Sequence, residues 1–139
     1  MAHVIKKYKM HFLLDFHYSD YWADPGQQNK PDAWKNLSFD ELKEAVHKYT
    51  YDVLYRLKIM DCAPDMVQIG NEIRSGMLFP DGAVPQYRQL AALVNEGIRA
   101  VRELLPETKV MIHLDQGGRY NCLMPWFDSM FNAGMLPID

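Results

Sequence analysis

Three short stretches of the chain carry apolar residues in runs or in alternation with polar ones: Met10 to Phe16 (MHFLLDF), Met66 to Gly70 (MVQIG) and Lys109 to Leu114 (KVMIHL). That is the pattern of β-strands. Between them the period lengthens. Ser38 opens a helix with Glu41 three residues on as a capping box, and apolar side chains recur at Phe39, Leu42, Val46, Tyr49, Val53 and Leu57. Pro64 ends it. Pro85 marks the start of a second helix bearing Tyr87, Leu90, Val94, Ile98 and Val101, which Pro106 ends. A shorter helix is predicted from Pro125 to Ala133, with Gly134 as its C-terminal cap. His17 to Leu37 and Ser75 to Val84 read as loops, and the length of the first suggests function.

The order strand, helix, strand, helix, strand, helix predicts parallel strands joined by right-handed crossovers. Side chains alternate between the faces of a strand, so each strand can be sorted by parity. One parity holds Phe12, Leu14 and Phe16, then Val67 and Ile69, then Val110, Ile112 and Leu114. All are apolar. The other holds His11, Asp15 and His17, then Gln68, Gly70 and Glu72, then Met111, His113 and Asp115. A parallel sheet covered by helices on both sides would be apolar on both faces. An α/β barrel resolves the conflict, with one face under the helices and the other turned to a lumen that is polar at the carboxyl ends of the strands.

Composition narrows the classes. The 139 residues, 48% hydrophobic and 24% charged, suit one compact domain. With 15 basic and 18 acidic residues the formal charge is -3, the wrong sign for a nucleic-acid partner. No apolar run approaches the roughly 20 residues that cross a bilayer, so no membrane partner is expected. Cys62 and Cys122 flank the second and third strands at opposite ends, too far apart to pair.

Candidate chemistry gathers at the strand ends. Glycosidic cleavage needs a carboxylic acid to protonate the leaving oxygen, and an adjacent amide can bind a sugar hydroxyl in the transition state. Glu72 and Asn71 suit those roles, with Asp15, His17 and Asp115 at the same mouth. The long loop adds Tyr18, Tyr21 and Trp22, either as stacking faces for sugar rings or as packing on the rim, and Asp20 and Asp24 as hydroxyl acceptors. A rival reading takes His17, His113 and Asp115 as ligands of a divalent metal in a hydrolase.

LLDFHYSDYWADPGQQNKP (Leu13 to Pro31), then MVQIGNE and MIHLDQGG, resembles glycoside hydrolase family 53, the arabinogalactan endo-β-1,4-galactanases. The resemblance implies a TIM (β/α)8 barrel, of which this chain holds three strand-helix units as one incomplete catalytic domain over residues 1–139. It implies Glu72 as acid/base at the end of the fourth barrel strand with Asn71 beside it, and His17, Asp20, Trp22 and Asp115 in the substrate site. It further implies retaining cleavage of galactan or arabinogalactan without a cofactor, in a family that is typically secreted. The family's nucleophile, a Glu on the seventh strand, has no counterpart here. A whole barrel takes about 250 residues. The expectation is therefore a central piece of such an enzyme, inactive alone, with two open sheet edges that invite self-association. A galactan-binding module without catalysis is the third reading.

Overall fold

The computed structural model describes all 139 residues. Strands β1 (Leu13–Phe16), β2 (Met66–Ile69) and β5 (Lys109–Met111) form one parallel sheet in the order β1-β2-β5. Strand β2 lies at the centre of the sheet. Helices α2 (Phe39–Ile59) and α3 (Tyr87–Leu104) connect the strands and pack against each other. Helix α4 (Tyr120–Asn132) follows β5, and a short α1 (Ala2–Lys7), which buries none of its residues, precedes β1.

Parity sorts the sheet as the alternation requires. Phe16, Val67, Ile69, Val110, Ile112 and Leu114 are all buried in one core with Leu90, Leu93, Val94, Ile98 and Val101 of α3. The opposite face stays polar and partly open. Two strands are shorter than predicted: β1 begins at Leu13, and β5 ends at Met111. Their remaining residues still extend beyond the ladder, so the parity persists to His17 and His113.

Helix α2 starts where predicted, because Ser38 Oγ accepts the Glu41 N–H while the Glu41 carboxylate accepts the Ser38 N–H at 2.8 Å. Its buried stripe is different. Leu42, Val46, Thr50 and Leu54 face the core, whereas Tyr49 is exposed and Val53 and Leu57 are half-buried. Thr50 was invisible to an apolar count because its hydroxyl is satisfied inside the helix, donating to the Val46 carbonyl at 2.8 Å.

Helix α4 begins at Tyr120, five residues before the predicted start, and holds Pro125 inside it. The Arg119 carbonyl accepts from both Cys122 and Leu123 N–H groups, which secures the first turn. Pro125 forfeits a bond only to the carbonyl of Asn121, an exposed residue that water can serve. The other end follows expectation. Gly134, at φ +93°, places the Met135 N–H on the Met130 carbonyl and its own N–H on the Phe131 carbonyl, a Schellman cap.

The Ser75 to Val84 loop contains an antiparallel pair, β3 (Gly76–Met77) and β4 (Gly82–Ala83), that no alternation announced. Both strands are two residues long. The outer edge of β5 is also less open than expected: Asp139 donates its N–H to the Val110 carbonyl and accepts the Val110 N–H on Oδ2. The Val110 N–H on the carboxylate, with Arg102 beside it, holds the Asp139 acid below the usual carboxylate range. Cys62 is buried with its thiol 3.1 Å from His3 Nδ1, Cys122 is exposed, and both are free. No helix is long and apolar enough to cross a membrane.

Candidate active site

Beyond Ile69 the central strand ends abruptly. Gly70 takes a positive φ, and Glu72 follows with φ +52° and ψ +42°, left-handed backbone that few residues with a side chain adopt. A 3-10 turn, Ile73–Ser75, then carries the chain away, with the Ile73 N–H bonded to the His113 carbonyl at 3.2 Å. Such strain costs on the order of 1–3 kcal/mol and persists where surrounding contacts impose it. Here those contacts converge on Asn71.

Asn71 is buried and held from four sides. Its Nδ2 donates to the Ala23 carbonyl at 2.8 Å, while its Oδ1 accepts from Gln68 Nε2 at 3.2 Å and faces His113 Nδ1 at 2.7 Å. Its main-chain carbonyl accepts from Gln28 Nε2 at 2.8 Å. Gln28 and Gln68 are only 2% and 5% exposed, and two amides are buried at such depth only when bonded. Sequence reasoning passed over Gln28 because glutamine in a loop looks solvated.

The network closes on itself through His17. Gln68 Nε2 donates to Asp15 Oδ1 at 2.6 Å, Asp15 Oδ2 lies 2.9 Å from His17 Nε2, and His17 Nδ1 accepts the Ala23 N–H at 3.0 Å. An acceptor at Nδ1 assigns the ring proton to Nε2, which donates to Asp15. The long loop is thus a strap across the strand ends. Ser75 Oγ donates to the Pro25 carbonyl, the Phe79 N–H donates to the Gln28 carbonyl, and Lys30 pairs with Asp81 at 2.7 Å in a largely buried contact.

Glu72, by contrast, is half-buried and its carboxylate meets no protein donor or cation, although Asn71 beside it is held by four partners. Asp115 lies at the end of the neighbouring strand as predicted, but both its oxygens accept from Arg74 Nε at 3.0 Å. Trp22 is 72% exposed and packs edge-on against His17, centroids 4.8 Å apart; Tyr21 is 75% exposed. Asp20 caps the turn Asp32–Trp34 by accepting the Asp32 N–H, and Asp24 accepts the Gly26 N–H. Tyr18 takes the packing alternative. It is buried, stacked on Phe16, and bonded to Thr50.

A cleft of about 450 Å³ beside β1 is lined by Leu14, Phe16, Trp34 and Tyr49 and by the polar groups Asp15, His17 and Asp20. Neither Asn71 nor Glu72 lines it, and His17 is where it meets the network around Asn71. The three residues of the rival metal reading, His17, His113 and Asp115, are not brought together as ligands. No three His, Cys, Asp or Glu side chains converge as ligands; His17 has both ring nitrogens engaged, and Asp115 is held by Arg74.

The family model described as glycosyl hydrolase family 53 matches residues 1–138. The chain belongs to glycosyl hydrolase family 53. An uncharacterized protein from Niallia circulans is 52% identical over 126 residues, 85% of this chain and 34% of that protein. The arabinogalactan endo-β-1,4-galactanase of Thermothelomyces thermophilus is 35% identical over 127 residues, 90% of this chain and 38% of that enzyme. The family 53 catalytic domain from Ignisphaera aggregans superposes with a TM-score of 0.94 at 43% identity, covering 99% of this chain and 38% of that domain. A structure among two fungal β-1,4-galactanases superposes with a TM-score of 0.91 at 34% identity, covering 97% of this chain and 41% of that one. The chain therefore spans little more than a third of the family 53 relatives it matches, and its three strand-helix units are a partial TIM barrel.

Proposed function

We propose that this chain carries the acid/base half of an endo-β-1,4-galactanase acting on galactan or arabinogalactan outside the cell. Glu72 protonates the leaving oxygen, and Asn71 holds a hydroxyl of the sugar undergoing cleavage. The observation that carries this reading is the contrast at the end of the central strand: a strained, partnerless carboxylate beside an amide fixed from four sides. His17 and Trp22 form one wall of the sugar site, while Asp20 and Asp115 act there through the Asp32 turn and Arg74.

Cleavage with retention needs a second carboxylate about 5 to 5.5 Å from the first. Asp15 is committed to His17 and Gln68, and Asp115 to Arg74, so the nucleophile comes from strands beyond these residues. Incubated with galactan, the 139-residue chain is expected to release reducing ends no faster than a protein-free blank. Release at the rate of a full-length family member, abolished by Glu72→Gln, would overturn the missing nucleophile.

The same arrangement leaves the outer edge of β1 without a strand, and association of the isolated chain through that edge is expected. Sedimentation velocity over a range of concentrations checks it. A monomer throughout would remove this expectation.

A further inference from the structure

Three groups in the network around Asn71 can only accept hydrogen bonds: the Asp15 carboxylate and the main-chain carbonyls of Gly70 and Ala23. Gln68 must turn its Nε2 to the first two. Asn71 must turn its Nδ2 to the third. With both amides so oriented, the atom facing His113 Nδ1 at 2.7 Å is the Asn71 amide oxygen, which also can only accept. The hydrogen of His113 therefore sits on Nδ1. A neutral imidazole then presents Nε2 as a lone-pair acceptor, and no protein group donates to it.

Asn71 shows a matching vacancy in its bonding. Its Oδ1 takes the His113 hydrogen and at most a shared Gln68 hydrogen, its main-chain oxygen has one donor, and one Nδ2–H is used, leaving a single N–H without a protein acceptor. One unfilled donor and one unfilled acceptor thus belong to two side chains bonded to each other, next to Glu72. Neighbouring sugar hydroxyls, each able to donate and accept, are complementary to such a pair.

The geometry points to His113 as a further substrate-contact residue, whose Nε2 accepts a hydrogen bond from the sugar hydroxyl adjacent to the one Asn71 holds. This rests on the reading of Asn71 and Glu72 as the sugar-facing pair. His113 has two separable functions in it: Nδ1 orients Asn71, and Nε2 meets the ligand. An asparagine at position 113 puts an amide N–H where Nδ1 was and removes the Nε2 acceptor.

Long-range nitrogen NMR on the unmodified chain is expected to find the Nδ1–H tautomer at His113, and titration with β-1,4-galactotetraose is expected to shift the Nε2 resonance. His113→Asn is expected to melt with the wild type yet bind the tetrasaccharide up to about tenfold more weakly, the worth of one hydrogen bond. Equal affinity of the variant, an Nε2–H tautomer, or an Nε2 resonance unmoved while Asn71 responds would overturn the assignment and leave the Asn71–Glu72 reading standing. Should the variant melt early, the Nε2 shift in the wild type decides. No response at Asn71 or Glu72 at saturating tetrasaccharide would bring down that reading and this inference together.

Discussion

Gly76→Ala is expected to destabilise the chain by about 3 kcal/mol or more, combining backbone strain and steric overlap of about 1–3 kcal/mol each. Gly76 has φ +106° and ψ -172°, a region closed to residues with a side chain. A Cβ there would lie 2.0 Å from the Gly82 carbonyl oxygen and 2.8 Å from the Ala83 Cα, both main-chain atoms of the paired strand. Neither can move without parting β3 from β4. The consequence reaches the site, because Arg74 and Ser75 immediately precede this pair. Arg74 holds Asp115 and accepts Trp126 Nε1 on its carbonyl, while Ser75 ties down the Pro25 segment of the strap. Urea unfolding of Gly76→Ala beside Gly118→Ala makes the comparison, since a Cβ at Gly118 meets nothing within 4 Å and should cost little. Equal midpoints for the two variants would refute the steric argument. Against a whole-domain stability of about 5–15 kcal/mol, the predicted loss is a large fraction.

The sequence pattern carried the sheet and the two long helices for a physical reason: a strand apolar on one parity and polar on the other has one way to sit under helices. Asp15 and His113 fall on the polar parity even though β1 and β5 are shorter than the pattern predicts, because parity survives an error in where a strand ends. Helix α2 shows the limit of counting apolar residues. The core-facing row runs 42, 46, 50, 54, and Thr50 belongs to it only because the Val46 carbonyl takes its hydroxyl hydrogen. Proline was over-read at residue 125, where solvent rather than the helix supplies the missing partner.

Other features were illegible because they depend on contacts distant in sequence. Gln28 is 43 residues from the Asn71 carbonyl it serves, and Asp115 is 41 from Arg74. Nothing local distinguishes either from a solvated side chain. The left-handed backbone of Glu72 is likewise imposed from outside, by the strap on Asn71 and the His113 carbonyl on Ile73. Tyr18 is the hardest case, a few residues before exposed Tyr21 and Trp22 in sequence but inside the core in space. Its positive φ turns the ring inward onto Phe16, under Gly97 of α3.

That burial makes Tyr18 the group that sets the alkaline limit of stability. Its hydroxyl lies 2.7 Å from Thr50 Oγ1, and since the Thr50 hydrogen goes to Val46, Tyr18 is the donor. Removal from water pushes the phenol well above its ordinary range, with Tyr49 and Asp15 adding in the same direction. The Thr50 bond opposes this only if its hydrogen swings from Val46 to the phenolate. In the unfolded chain the phenol titrates near about pH 10. Above that pH the unfolded state sheds a proton that the folded state keeps, so stability falls as pH rises, by up to about 1.4 kcal/mol per pH unit for this one group. Below about pH 10 the contribution is complete. Tyr18→Phe removes the titration and the bond to Thr50, so at pH 8 the variant is expected to be less stable by about 0.5–1.5 kcal/mol. On raising the pH the wild type should lose stability faster, and the two curves should converge and then cross. Urea midpoints measured from pH 8 to about pH 12 test this, and parallel curves would mean that Tyr18 ionises in the folded chain as readily as in the unfolded one.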